Sequence, residues 1–181
     1  MDFELSDEQA AIRAMAAEFA AAELAPHALA WDEAKHFPVA TLKKAGVLGL
    51  GSIYVREAAG GSGLTRLDAT LIFEALATGC PTVAAFLSIH NMCCWLIDRH
   101  GSKAQRERWL PGLVGMDRLA SYCLTEPGAG SDAASITTTA TLEGDHYVVN
   151  GTKRYITNAA KAGAFTLMAR TNPHNKGAGG I

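Results

Sequence analysis

With 181 residues, 49% of them hydrophobic and 19% charged, the chain is long enough for one domain or two small ones. Its formal net charge of −2 leaves no electrostatic footprint for nucleic acid or an anionic membrane, and no apolar run approaches bilayer-spanning length. The acidic and polar opening residues predict neither a secretory signal nor an Arg-rich transit peptide.

Helical patterns fill the first part of the chain. Ser6 with Gln9 forms a capping-box pattern that predicts a helix running toward Leu24, with Ile12, Ala16, Phe19 and Ala20 on one face. Pro38 is placed to start a second helix carrying Val39, Leu42 and Ala45, with Gly46 to end it. A third is expected over residues 67–77, where Leu67, Leu71, Ile72, Ala75 and Leu76 share a face. Residues 83–100 form the longest and most apolar pattern, and Gly101 is its expected C′ residue. Ser102 with Gln105 is another capping box, and Pro111 is expected to stop the helix it opens.

Near residue 118 the period changes from that of helices to that of strands. Strands are predicted over residues 119–125, 137–142 and 146–149, the last two joined by a Glu143-Gly144-Asp145 turn. Asn150-Gly151 carries a strong hairpin signal, so residues 152–157 and 165–170 are expected to extend the meander. Helices first and strands afterwards predict an α+β fold or two successive domains.

The candidate site lies at the first strand's end. Residues 122–135 break at Pro127 into a loop punctuated by Gly128 and Gly130 and carrying Thr, Ser and Asp side chains. Glycine there is expected to admit positive φ and close approach of a ligand, while hydroxyls and N–H groups offer hydrogen bonds. The loop is neither a P-loop nor a G-x-G-x-x-G turn, since no Lys-Ser/Thr and no third glycine follow. The four cysteines, Cys80, Cys93, Cys94 and Cys123, lack metal-ligand spacing. They predict reduced, buried thiols in a cytoplasmic protein with no metal site. His90, alone on an apolar helix, reads as a satisfied core residue rather than a catalyst.

Several strings together resemble the acyl-CoA dehydrogenase family, closest to its isobutyryl-CoA dehydrogenase branch. They are residues 3–9 from Phe3 to Gln9, Gly60-Gly61-Ser62-Gly63-Leu64, Ser88 to Cys93, Ala120 to Gly128, and Asn150 to Asn158. The resemblance implies an N-terminal all-α domain over residues 1–118 and an incomplete antiparallel β-barrel domain over residues 119–181, with the family's C-terminal helical domain absent. It implies FAD as cofactor, contacted by Tyr122, Cys123, Leu124, Thr125, Gly130, Ser131, Tyr155, Ile156 and Thr157. The Thr125 hydroxyl would face the flavin's pyrimidine side, Tyr155 would cover the ring where many members carry Trp, and the Thr157 hydroxyl would bond N5. Ser131 would touch the acyl-CoA, and Leu87, Ser88 and Asn91 are candidate specificity residues.

The implied reaction is α,β-dehydrogenation of a short branched acyl-CoA, with electrons passed to an electron-transferring flavoprotein by a homotetramer. The family's catalytic base comes from the absent C-terminal domain, so no catalytic residue is assigned, Glu126 included. Two alternatives stay open: an acyl-CoA oxidase using O₂, and a non-catalytic fragment or structural subunit.

Overall fold

In the computed structural model, the described residues are 4–172, 174–175 and 177–181; Phe3 of the opening string, and Pro173 and Lys176 of the last loop, lie outside them. The chain divides into two compact units, Met1–Ala120 and Ser121–Ile181. The expected α+β character holds: the first unit is helical and strands follow.

Among the described residues, six α-helices build the first unit: α1 (Asp7–Phe19), α2 (Ala28–Glu33), α3 (Val39–Val47), α4 (Arg66–Gly79), α5 (Pro81–His100) and α6 (Lys103–Val114). The Ser6–Gln9 box caps α1 reciprocally, and the helix runs on through a π-helical turn, Ala20–Leu24. Such boxes satisfy two end N–H groups locally, which is why they read directly from sequence. The Ser102–Gln105 box caps α6 in the same way, and α4 carries a third, Thr65 with Asp68.

α1 packs along α4, α4 on α5, and α5 on α6. The core between them is closed by Leu24, Leu42, Ile72, Leu76, Phe86 and Leu87, none more than 1% exposed. Leu67, expected on the buried face of α4, is 57% exposed instead, and the first turn buries its neighbours Asp68 and Ala69.

Several helix boundaries differ from expectation. Pro38 is the cap of α3 rather than its first residue, and α3 passes Gly46 to end at Val47. Gly101 caps α5 with φ −67° and ψ 151°, an extended rather than left-handed residue. Pro111 lies inside α6 instead of ending it. A proline in a helix interior costs about 3 kcal/mol. Leu110 and Leu113, both essentially fully buried, offset this at roughly 2 kcal/mol each.

Among the described residues, the second unit holds two separate two-stranded sheets. In one, β1 (Ala120–Cys123) pairs with β4 (Ala164–Leu167). In the other, β2 (Thr139–Glu143) pairs antiparallel with β3 (His146–Asn150), in a register that sets Glu143 opposite His146 and Thr139 opposite Asn150. Gly144, at φ +66°, meets the tight turn between them without strain.

Asn150-Gly151 makes no hairpin, and residues 152–157 form no strand. β3 ends at Asn150, and Gly151 passes so close to Thr138 that an added Cβ would lie 2.3 Å from its Oγ1. Here glycine serves close approach, not reversal of the chain.

Candidate functional site

Within the second unit, the two sequence segments expected to face a cofactor come together. Ser121 Oγ donates to the Thr157 carbonyl at 2.6 Å, and the Arg154 N–H donates to the Thr125 carbonyl at 2.8 Å. Lys153 Nζ donates to the Leu124 carbonyl at 2.9 Å and to Glu126 Oε1 at 2.8 Å. Residues 121–126 and 153–157 are thus bonded along their length.

Glu126 organises the loop that follows. Its Oε2 accepts from the Thr137 N–H at 2.6 Å and the Thr137 hydroxyl at 2.8 Å, and its Oε1 accepts from the Thr138 N–H at 2.9 Å. The carboxylate is 5% exposed. Burial works to raise its pKa, but the Lys153 ammonium and the Thr137 and Thr138 donors outweigh that and hold it well below the usual carboxylate range. A carboxylate so stabilised as an anion is a poor proton acceptor.

Cys123 is buried, Tyr122, Leu124 and Thr125 are half-buried, and Ser131 and Gly130 are exposed on the loop. Neither Gly128 nor Gly130 adopts positive φ, contrary to expectation; a Cβ at either would meet nothing within 4 Å. The space in front of the loop is open to a ligand. The unusual backbone lies instead at Tyr155 (φ 56°) and Asn158 (φ 63°), flanking Ile156 and Thr157. Non-glycine residues in this region carry strain and cluster at ligand-binding segments. Tyr155 is 76% exposed, with the Arg154 guanidinium 4.4 Å from its ring centroid.

The donor set fits a flavin. The Thr125, Ser131 and Thr157 hydroxyls bond no other described residue, and the Asn158 side-chain amide is buried without a partner among them. Buried polar atoms ordinarily find partners, so an orphaned amide beside Thr157 marks a place where a ligand, water or further chain belongs.

In the helical unit, the candidate specificity residues have settled surroundings. Leu87 is fully buried, and the Ser88 hydroxyl donates to the Ala85 carbonyl at 2.8 Å. Asn91 spends its amide internally: Oδ1 accepts from the Ile53 N–H at 2.6 Å, and Nδ2 donates to the Leu50 and Leu87 carbonyls at 2.8 and 2.9 Å. It pins the segment before α4 to α5 and has no donor left for a substrate.

His90 is a core residue as expected. Its Nδ1 accepts from the Ala120 N–H at 3.0 Å, leaving Nε2–H to donate to the Leu113 carbonyl at 3.0 Å. Burial lowers its pKa from 6.5 to about 4, with the Leu113 bond opposing. All four cysteines are buried and unbridged.

Sequence reasoning did not single out Ser121, Lys153, Thr137 or Thr138. The one available signal was Glu126 itself, the lone acid of residues 119–131. Its partner could not be chosen from sequence, because Lys153 and Arg154 are adjacent and only one turns inward.

Residues 6–117 match the N-terminal domain of acyl-CoA dehydrogenases and residues 121–181 match their middle domain, so the chain belongs to the acyl-CoA dehydrogenase family. Among relatives, it is 53% identical over 167 residues to the mitochondrial isobutyryl-CoA dehydrogenase of Bos taurus, covering 92% of this chain and 40% of that protein. It is 49% identical over 177 residues to the mitochondrial isobutyryl-CoA dehydrogenase of Dictyostelium discoideum, covering 98% of this chain and 42% of that one. The chain therefore spans well under half the length of these relatives. Among solved structures it resembles PigA with FAD and proline, with a TM-score of 0.90 and 35% identity over 97% of this chain and 47% of that one. Among the described residues, no helix is long and apolar enough to cross a membrane.

Proposed function

We propose that the chain is the N-terminal part of an FAD-dependent acyl-CoA dehydrogenase acting on a short branched acyl-CoA such as isobutyryl-CoA. The observation that carries this is the bonded pair of segments, residues 121–126 and 153–157, with the Thr125 and Thr157 hydroxyls still available to a ligand. Family membership and the identity to two isobutyryl-CoA dehydrogenases support the cofactor and the substrate class.

FAD, when bound, would accept the β-hydrogen of the thioester as hydride. The chain's own residues would hold and orient it. Thr125 and Thr157 would donate hydroxyl hydrogen bonds, Tyr122, Cys123, Leu124 and Ile156 would line the ring, and Tyr155 would cover it. Ser131 beside Gly130 would contact the acyl-CoA, while Leu87 and Ser88 would shape acyl selectivity.

Glu126 cannot take the α-proton while it remains tied to Lys153, Thr137 and Thr138. The base in this reading lies outside the 181 residues, in a C-terminal helical domain. Electrons would leave to an electron-transferring flavoprotein, and the working assembly would be a homotetramer. A reducing compartment, the cytoplasm on the sequence reading, is supported by four buried unbridged cysteines; the two relatives carry "mitochondrial" in their names.

The intact protein should purify yellow, and Thr157→Val should shift its flavin spectrum. Isobutyryl-CoA should be turned over with a higher kcat/KM than octanoyl-CoA, with overlap toward butyryl-CoA because one methylene is worth only about 1–3 kcal/mol. A colourless protein that added FAD does not restore removes the flavin assignment. A preference for the eight-carbon chain removes the substrate.

A further inference from the structure

The two segments assigned to the flavin are distant in sequence, and neither pairs with the other as a strand. Side chains join them. Ser121, fully buried, reaches the Thr157 carbonyl at 2.6 Å, and Lys153 reaches the Leu124 carbonyl at 2.9 Å and Glu126 at 2.8 Å. The backbone adds the Arg154 N–H to the Thr125 carbonyl. On its other side, Glu126 holds Thr137 and Thr138, closing the loop that carries Gly128, Gly130 and Ser131.

Such a pair is an inefficient way to gain stability. Desolvating two charges consumes most of their attraction, and apolar residues of similar size often do as well. What the pair does supply is fixed geometry between two pieces of irregular chain. It also has a chemical consequence. The Leu124, Thr125 and Thr157 carbonyls are all taken up inside the protein. The two segments therefore keep few backbone acceptors free, and the Thr125 and Thr157 hydroxyls remain able to donate to a ligand. Oxidised isoalloxazine presents mainly acceptors along the edge carrying its ring nitrogens and carbonyl oxygens, so the two match.

The geometry points to Ser121, Lys153 and Glu126 as positioning residues that set the separation and facing of the two flavin-contact segments. The inference rests on the flavin reading above. The inference gives none of the three a contact with the cofactor; each would act through the backbone carbonyl or side chain that it bonds.

The test uses the intact FAD-loaded protein with Ser121→Ala, Lys153→Met, Lys153→Arg and Glu126→Gln, and with Asp98→Asn in the helical unit as a stability control. Asp98 pairs with Arg56 far in sequence from the loops, at 2.6 Å, and has no part in the proposed site. Three readouts are taken: the FAD dissociation constant, the visible flavin spectrum with its reduction potential, and the thermal midpoint by calorimetry.

Ser121→Ala and Lys153→Met should each weaken FAD binding about tenfold or more, the equivalent of one well-made hydrogen bond, and shift the flavin band. Lys153→Arg should restore much of both, because a guanidinium can reach the same two acceptors. Glu126→Gln should behave like Lys153→Met. Asp98→Asn should lower the thermal midpoint and leave flavin affinity and spectrum unchanged.

If Lys153→Met fails to fold, Ser121→Ala, which removes one hydroxyl and no charge, decides alone. Wild-type affinity and spectrum in the variants that fold, with only the thermal midpoint lowered, would overturn the inference, as would an equal flavin shift from Asp98→Asn. A wild-type protein that binds no FAD would instead remove the flavin reading, and this inference with it.

Discussion

The two units differ in how they bury charge. In the helical unit the two fully buried polar side chains of α5 are neutral, His90 and Asn91 at 0% exposure with bonds made to backbone groups, while its buried Asp98 is met by an Arg56 side chain that is 63% exposed. In the second unit a charged pair is buried on both sides, Glu126 with Lys153, whose side chains are 3% and 11% exposed. Apolar burial differs as sharply. The second unit's buried hydrophobics are Cys123, Ala129 and Ile136 among the described residues, while Leu142, Tyr147, Val149, Tyr155, Phe165 and Leu167 stay substantially exposed. Packing therefore organises the first unit, whereas directed polar bonds organise the second. A core tolerates exchange of one hydrophobe for another; a bonded loop tolerates little.

The sharpest way to break this contrast is to damage each unit separately. All three tryptophans, Trp31, Trp95 and Trp109, belong to the helical unit, so their fluorescence follows that unit alone. Lys153→Met leaves a buried carboxylate unpaired and should cost about 3–5 kcal/mol, felt in the second unit. Hydrogen exchange over residues 121–172 should speed up while the tryptophan-detected urea midpoint holds. Phe86→Ala should cost a similar amount, about 3–5 kcal/mol, with the reverse pattern. Equal shifts of both probes in either variant would mean that the units unfold as one.

Acid sharpens the comparison through sign and window. His90 stays neutral in the fold down to about 4, whereas in the unfolded chain it takes a proton near 6.5. The helical unit is thus at full stability above pH 6.5 and loses roughly 3 kcal/mol as pH falls toward 4. The folded Glu126 pKa lies below its ordinary 4.5, so its contribution is complete above that pH and is lost only as pH drops below it. Tryptophan-detected stability should therefore decline before exchange protection of the second unit does. His90→Gln should flatten the first decline.

A smaller effect tests the neutral polar core. Asn91→Leu strands the Ile53 N–H and the Leu50 carbonyl, and should lower the tryptophan-detected stability by about 2 kcal/mol. The smallest is at the surface: Ser6→Ala removes the cap of α1 and should cost about 1 kcal/mol, read in the same assay.

Local chemistry explains which features were legible in the sequence. The Ser6–Gln9 and Ser102–Gln105 boxes, the apolar run of α5 and the Gly144 turn each depend on residues a few positions apart. α2 went unread because its six residues have no side-chain cap and only Ala28 and Trp31 lean on the core, none of them fully buried, so neither cap chemistry nor periodicity marks them. The residue strings were enough to place the chain in its family, because the order and spacing of several short strings is itself sequence information.

Tertiary structure decided the rest. Pro111 stays within α6 because Leu110 and Leu113 are buried by other helices, a gain that no local propensity contains. Gly151 passes Thr138 instead of turning, because the β2–β3 register sets those strands side by side. The choice of Lys153 rather than Arg154 as the partner of Glu126, and the reach of Ser121 to Thr157, join residues some thirty positions apart. Only the folded backbone brings such groups within hydrogen-bond distance, and a bond that short-ranged leaves no periodicity in the sequence by which to find it.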